Sequence, residues 1–110
     1  MFKFMYKFTA IKKLSQMLDN AGIPHQLEGY QGGFVLGYPS FDPKQTVCTV
    51  AQHMRSYGGT YELLEKKGLL TNRERKLDEV MGYMPPLDVY QRIKAHWDRR
   101  EEAKNESAKD

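Results

Sequence analysis

The side chains in this chain that are best suited to catalysis or metal binding are one cysteine and three histidines. Cys48 and His53 form a local Cys/His pair, and a catalytic thiol needs a histidine base within hydrogen-bond reach. Because they are five positions apart across a predicted strand end, their side chains need not converge. His25, His53 and His96 show none of the close spacings that zinc sites use. The sequence therefore predicts no catalytic residues, no metal site and no cofactor.

The strongest candidate for binding is the polar segment QHMRSYGG. It joins a predicted strand to a predicted helix, whose N-terminus favours anions, and Arg55 is a forked donor for phosphate or carboxylate. The alternative is a polar turn whose side chains cap neighbouring backbone groups. The predicted binding residues are Gln52, His53, Arg55, Ser56, Tyr57, Gly58 and Gly59. The other glycine-rich segment, GYQGGFVLG, lacks a phosphate-binding pattern and is typical of a hairpin turn.

The chain opens with MFKFMYKFTA, in which aromatic residues alternate with others. A short strand here would place its four aromatic side chains on one side; alternatively, Met5 is the older start of the chain. We interpret the aromatic start as an added N-terminal segment, able to pair with a sheet edge or a second subunit. Two lysines in so short a segment make it a poor membrane anchor. The predicted interface residues are Phe2, Phe4, Tyr6 and Phe8.

Charge and composition limit the class of protein. The net charge of +3 is small for a nucleic-acid-binding domain, so nucleic-acid binding through Lys3, Lys7, Lys12, Lys13 and Arg55 is an alternative that the charge does not favour. A single cysteine cannot form an internal disulfide, which favours a reducing cytoplasm. No apolar run approaches about 18 residues, and no signal peptide is evident. We expect a cytoplasmic protein without membrane contact.

Periodicity divides the chain into two parts. A helix is predicted from Thr9 to about Asn20, with Gly22 and Pro24 ending it. A hairpin around residues 31–33 and a third strand within residues 45–54 follow, with Cys48, Val50 and Gln52 on one face.

The second half is predicted to be helical. One helix runs from Thr60 to Gly68, and another starts at a capping box formed by Thr71 and Glu74 and continues to residue 84. The last helix starts at Pro85-Pro86, with an outward pair between Asp88 and Arg92. Its inward residues are Leu87, Tyr90, Ile93 and Trp97.

These elements predict an α+β fold: an N-terminal helix, a small three-stranded antiparallel sheet and then three C-terminal helices. Residues 1–8 are the aromatic N-terminal extension, and residues 9–100 form one domain. Residues 101–110 lack large apolar side chains and are predicted to be a disordered charged tail.

Four motifs together resemble a family of small uncharacterised prophage proteins of Gram-positive bacteria. The D-x-A-G-I-P motif matches residues 19–24, and the Q-H…S-Y-G motif lies within residues 52–58. The G-L-L-T motif matches residues 68–71, and the V-Y-x-R-I-x-x-H-W motif matches residues 89–97. The resemblance covers about residues 6–98 and implies a phage accessory gene expressed in a bacterial cytoplasm.

Three functions are compatible with these observations. The first is a non-enzymatic phage accessory protein that binds and modulates a host or defence-system protein, such as an anti-CRISPR-like inhibitor. The second is a small-ligand or nucleotide-binding protein that uses the Gln52–Gly59 loop. The third is nucleic-acid binding.

Overall fold

Helices lie at the two ends of the described chain, with a sheet between them. The computed structural model describes residues 9–30, 33–52, 69–75 and 79–108. Tyr38-Pro39 is a cis peptide bond. In chain order the elements are α1 (Thr9–Asn20), β1 (Gln26–Tyr30), β2 (Gly33–Tyr38), β3 (Cys48–Gln52), β4 (Leu70–Glu74), β5 (Glu79–Met84) and α2 (Pro86–Ala108).

Helix α1 has the bounds that the sequence predicts. Its apolar residues recur every three or four positions, so Ile11, Leu14 and Leu18 lie on one face and are buried. The helix packs against α2, β2 and β3. This face therefore joins the two helices to the sheet.

A Schellman motif ends α1. The Gly22 N–H donates to the Asp19 carbonyl (3.0 Å), and the Ile23 N–H donates to the Leu18 carbonyl (2.9 Å). Gly22 adopts φ of 71°, a left-handed conformation that glycine tolerates because it has no Cβ. Ile23 and Leu18 are both buried, which supplies the apolar contact that accompanies this motif. The predicted helix end is confirmed.

Replacement of Gly22 by alanine is expected to lower the free energy of unfolding by about 1 kcal/mol, because alanine is strained at positive φ. Gly82→Ala is the control, since a Cβ added there meets nothing within 4 Å and its φ is not in the left-handed region. Urea denaturation measures both variants. Equal stability of the two would contradict a conformational role for Gly22.

The described strands form a five-stranded antiparallel sheet in the order β1-β2-β3-β4-β5. The predicted hairpin is confirmed, because Tyr30 pairs with Gly33 across a two-residue connection. The predicted alternation of β3 is also confirmed: Cys48, Val50 and Gln52 are buried, and the residues between them are half-buried.

The core lies between α1, α2 and one face of this sheet. Leu36 and Tyr38 on β2 share that face with Val50 on β3, since these residues are in register. Val89 and Ile93 contribute the buried residues of α2. Alternate residues of each strand thus supply the apolar surface that both helices cover.

The predicted fold of three strands followed by three helices is wrong. Residues 70–84 form the hairpin of β4 and β5, and the helix predicted from Thr60 lies outside the described residues. Thr71 does not cap a helix: it pairs with Ala51 in the sheet, and its hydroxyl donates to the Ala51 carbonyl (3.2 Å). The capping-box spacing is a local signal, and pairing with β3 overrides it because the pairing satisfies backbone groups of both strands and buries Leu70.

Helix α2 begins at Pro86, as predicted, but its faces differ from the prediction. Leu87 is 53% exposed instead of inward, whereas Val89 is buried beside Ile93. Tyr90 and Trp97 pack against the core, as predicted. The inward stripe therefore starts two positions later than the sequence indicates.

The same helix continues to Ala108, through most of the stretch for which composition predicts a disordered tail. Alanine, glutamate and lysine are strong helix formers, and Glu101 and Lys104 form an i,i+3 ion pair at 3.7 Å. Helix propensity thus extends α2 where apolar residues are lacking.

Candidate functional site

A groove of about 1030 Å³ lies between α2, strands β3 and β4 and the loop that precedes β3. The Arg75 side chain donates to the Pro43 carbonyl, and the Arg75 N–H donates to the Val47 carbonyl (2.9 Å). These bonds hold the loop against the end of β4. The apolar lining comes from Val47, Met84, Ile93 and Ala95, and the charged or titratable lining from Cys48, Glu74, Arg75, Asp88, Arg92, His96 and Arg99.

A bidentate ion pair links the sheet to the helix at this groove. Arg92 donates from Nε and from a terminal nitrogen to the two carboxylate oxygens of Glu74, both at 2.6 Å. The hydrogen bonds from Arg92 are the main reason that the pKa of Glu74 is lowered. Arg92 therefore pairs with β4 and not, as predicted, with Asp88 on its own helix.

Glu74→Gln is expected to lower the free energy of unfolding at about pH 7 by about 1–2 kcal/mol, because the variant loses the charge of a forked pair. The estimate is at the low end for such bonds because the Arg92 side chain is 42% exposed. Since the folded-state pKa is lowered, the stabilisation is present above the unfolded pKa of 4.5 and is lost as the pH falls through the folded pKa.

Urea denaturation between about pH 7 and about pH 3 measures this difference. Glu28→Gln is the matched control, because Glu28 is an exposed carboxylate on β1. A destabilisation by Glu74→Gln that stays constant over this range would contradict an ionic contribution.

Cys48 lines the groove but is not activated. It is 3% exposed, and burial, with a smaller contribution from the Glu74 carboxylate, raises the pKa of its thiol to about 12. The thiolate is the nucleophilic form of cysteine, so this environment disfavours nucleophilic attack. His53, its partner in the sequence, lies outside the described residues.

A tyrosine–histidine pair joins β2 to α2 beside the groove. The Tyr38 hydroxyl hydrogen-bonds Nδ1 of His96 at 2.8 Å, and the two rings meet edge to face at 5.5 Å. Burial, and then Arg99 and Arg100, lower the pKa of His96. The neutral imidazole can accept a hydrogen bond from the Tyr38 hydroxyl at Nδ1. In that tautomer, Nε2 carries the hydrogen of the ring.

One buried polar atom close to the ion pair lacks a partner. Asn72 is fully buried, and among the described residues no group hydrogen-bonds its Oδ1. Its Nδ2 donates to Glu74 at 3.4 Å, which is a long bond. Strand β4 thus carries a buried polar side chain, Asn72, two residues before Glu74.

Of the binding residues predicted from the loop, Gln52 is within the described residues, and it does not line this groove. The Gln52 side chain is fully buried, and its Oε1 accepts the Ile11 N–H of α1 at 2.9 Å. The other predicted loop residues, His53, Arg55, Ser56, Tyr57, Gly58 and Gly59, lie outside the described residues, as do the predicted interface residues Phe2, Phe4, Tyr6 and Phe8.

The remaining sequence candidates have local roles. His25 bonds Ser15 Oγ (2.8 Å) and the Ile23 carbonyl (2.9 Å), so it braces the end of α1. Lys12 lies over the Phe34 ring at 4.8 Å, and Lys13 is exposed. In the described parts of the chain no three His, Cys, Asp or Glu side chains are grouped as metal ligands would be. Neither described helix is long and apolar enough to cross a membrane.

Sequence reasoning missed the groove, although a signal for its helical side is present. Arg92, His96 and Arg99 recur at i, i+4 and i+7, a spacing that places polar side chains on one helix face. Glu74 carries no comparable signal, because its role depends on β4 lying beside α2.

Comparisons of the chain with models of protein families, with curated proteins and with solved structures find no match.

Proposed function

We propose that this protein is a binding protein that takes a small organic ligand in the groove between α2 and strands β3 and β4. The groove itself carries the proposal: it has a volume of about 1030 Å³, and its lining combines apolar side chains with charged groups that could orient a ligand. The high pKa of the Cys48 thiol supports binding over covalent chemistry.

A thermal-shift screen with 1-naphthol, 1-naphthyl phosphate, AMP, ATP and GTP tests the proposal. A ligand at about 100 times its Kd adds about 2.7 kcal/mol of stability, so binding raises the melting temperature. We expect at least one of these compounds to stabilise the protein. If none does, the proposed function is wrong.

Two variants, each with one alanine of α2 replaced by tryptophan, test where the ligand binds. Ala95 is exposed and lines the groove, so Ala95→Trp should fill it and weaken binding at least about tenfold. Ala103→Trp makes the same change at an exposed position two turns further along α2 and should leave binding unchanged. Equal affinity of the two variants would place the ligand elsewhere.

Modulation of a host or defence-system protein by a phage accessory protein is a second candidate function. The observation that favours it is strand β1, which is an edge of the described sheet and has four exposed residues out of five. An extended segment of another protein can pair with such an edge. Affinity purification from a bacterial host lysate, repeated with Tyr30→Arg, tests it; a partner retained equally by both proteins would exclude β1 as the interface.

A further inference from the structure

The groove continues into a second depression that is strongly basic. This depression, of about 530 Å³, shares Val47, His96 and Arg99 with the groove. Lys44, Gln45 and Arg100 complete its lining, which contains three cations and no carboxylate. We call it the basic end of the groove.

Three carboxylates close in sequence to these cations bond other groups. Asp42 accepts the Lys44 backbone N–H at 3.0 Å. Asp98 is paired with Lys94 at 2.9 Å, and Glu101 with Lys104 at 3.7 Å. Among the described residues, no ion pair involves Lys44, Arg99 or Arg100. The positive charge of the basic end is therefore not balanced by a protein carboxylate in ion-pair contact.

The carboxylates within the main groove do not balance it either. Glu74 is bound by Arg92 in a forked pair. Asp88 is eleven residues before Arg99 on α2, which is about 16 Å along a helix and beyond the Debye length of about 8 Å at physiological salt.

Contacts with the surrounding structure fix part of the basic end. The Lys44 backbone N–H donates to the Asp42 carboxylate at 3.0 Å, and Thr46 Oγ1 bonds the Ser40 carbonyl at 2.8 Å, so the backbone of the loop is held. Arg100 lies over the Trp97 ring at 5.9 Å, a cation–π contact that leaves its N–H donors available. The depression thus combines the exposed side chains of Lys44 and Arg99 with an arginine that an aromatic ring positions.

Two of these cations also influence His96, which lines both depressions. Burial is the main reason that the pKa of His96 is lowered, and the positive charges of Arg99 and Arg100 lower it further. Tyr38 on β2 and Glu74 on β4 are the titratable groups that face His96 from the sheet.

From this arrangement we infer that the ligand is a phosphate ester with a flat apolar body. The phosphate lies at the basic end, between Lys44, Arg99 and Arg100, and the apolar body lies in the groove against Val47, Ile93 and Ala95. Three cations suit a group of two negative charges, and arginine binds phosphate oxygens in a forked geometry. The inference rests on the proposed function, because it assigns the ligand of the same groove.

Three probes separate the two parts of the ligand: 1-naphthyl phosphate, 1-naphthol and inorganic phosphate. NMR titration of the full chain measures Kd for each. We expect 1-naphthyl phosphate to bind at least about tenfold more tightly than 1-naphthol, because only the ester reaches both parts of the site. Arg99→Gln should weaken the ester about tenfold and change the affinity for 1-naphthol less than about twofold.

Lys13→Gln is the matched control, because it removes the same charge from an exposed position on α1. Equal losses in Arg99→Gln and Lys13→Gln would overturn the inference, since the effect would then be one of net charge. Equal affinities for the ester and 1-naphthol, both weakened by Ala95→Trp, would also overturn it while leaving the proposed function intact. Failure of all three probes to bind would overturn the inference, and failure of AMP, ATP and GTP as well would overturn the proposed function.

Discussion

Leu14→Ala is expected to lower the free energy of unfolding by about 3 kcal/mol, within the range of about 2–5 kcal/mol for leucine truncation in a core. Leu14 is fully buried in the middle of α1, on the face that packs against β2, β3 and α2. Truncation removes apolar contacts and leaves a cavity between α1, α2 and the sheet, because a close-packed core relaxes only partly around a missing side chain.

Thermal unfolding measures this effect, and for a chain of this length the loss corresponds to a fall of roughly 13 °C in Tm. Lys13→Ala is the control at the neighbouring exposed position and should stay within about 0.5 kcal/mol. Leu14→Met, which conserves volume, should lose less than about 1.5 kcal/mol. A loss below 1 kcal/mol for Leu14→Ala would show that α1 does not close the core.

The second large effect is expected at Gln52, where replacement by methionine should cost about 2 kcal/mol. The Ile11 N–H is in the first turn of α1 and has no acceptor within the helix, so Gln52 Oε1 on β3 supplies one. Methionine has nearly the same shape but leaves this buried N–H unsatisfied. A distant strand thus supplies an acceptor for one N–H of the first turn of this helix.

Two measurements test the Gln52 prediction. Urea denaturation gives the loss of stability, with Gln16→Met on the exposed face of α1 as the control. Hydrogen exchange at the Ile11 amide should accelerate in Gln52→Met and not in the control. An unchanged exchange rate together with unchanged stability would mean that Gln52 is not needed as a cap.

The elements predicted correctly depend on residues close together in the chain. Gly22 ends α1 because its left-handed conformation lets its own N–H bond the Asp19 carbonyl and the next N–H, that of Ile23, bond the Leu18 carbonyl. The hairpin of β1 and β2 follows from a two-residue connection, and Pro86 begins α2 because proline tolerates the first helical position. In each case the hydrogen bonds that define the structure lie within one segment.

The segment after Leu70 was predicted incorrectly because its partners are distant. Thr71 and Glu74 have the spacing of a helix cap, but Thr71 pairs with Ala51 and Glu74 with Cys48, both more than 15 residues earlier. A helix would leave the edge of β3 without this partner. Pairing instead satisfies the backbone of both strands and buries Leu70 and Asn72.

What the sequence alone determined is therefore the local part of the fold: α1 with its C-terminal motif, the first hairpin and the start of α2. Only the tertiary structure decided that Glu74 faces Arg92, that Tyr38 meets His96 and that Lys44 lies beside Arg99. The physical reason is the separation in sequence between the residues that interact. Caps and turns are encoded by neighbouring residues, whereas the groove is assembled from two strands, a loop and a helix whose packing is set by the burial of a shared core.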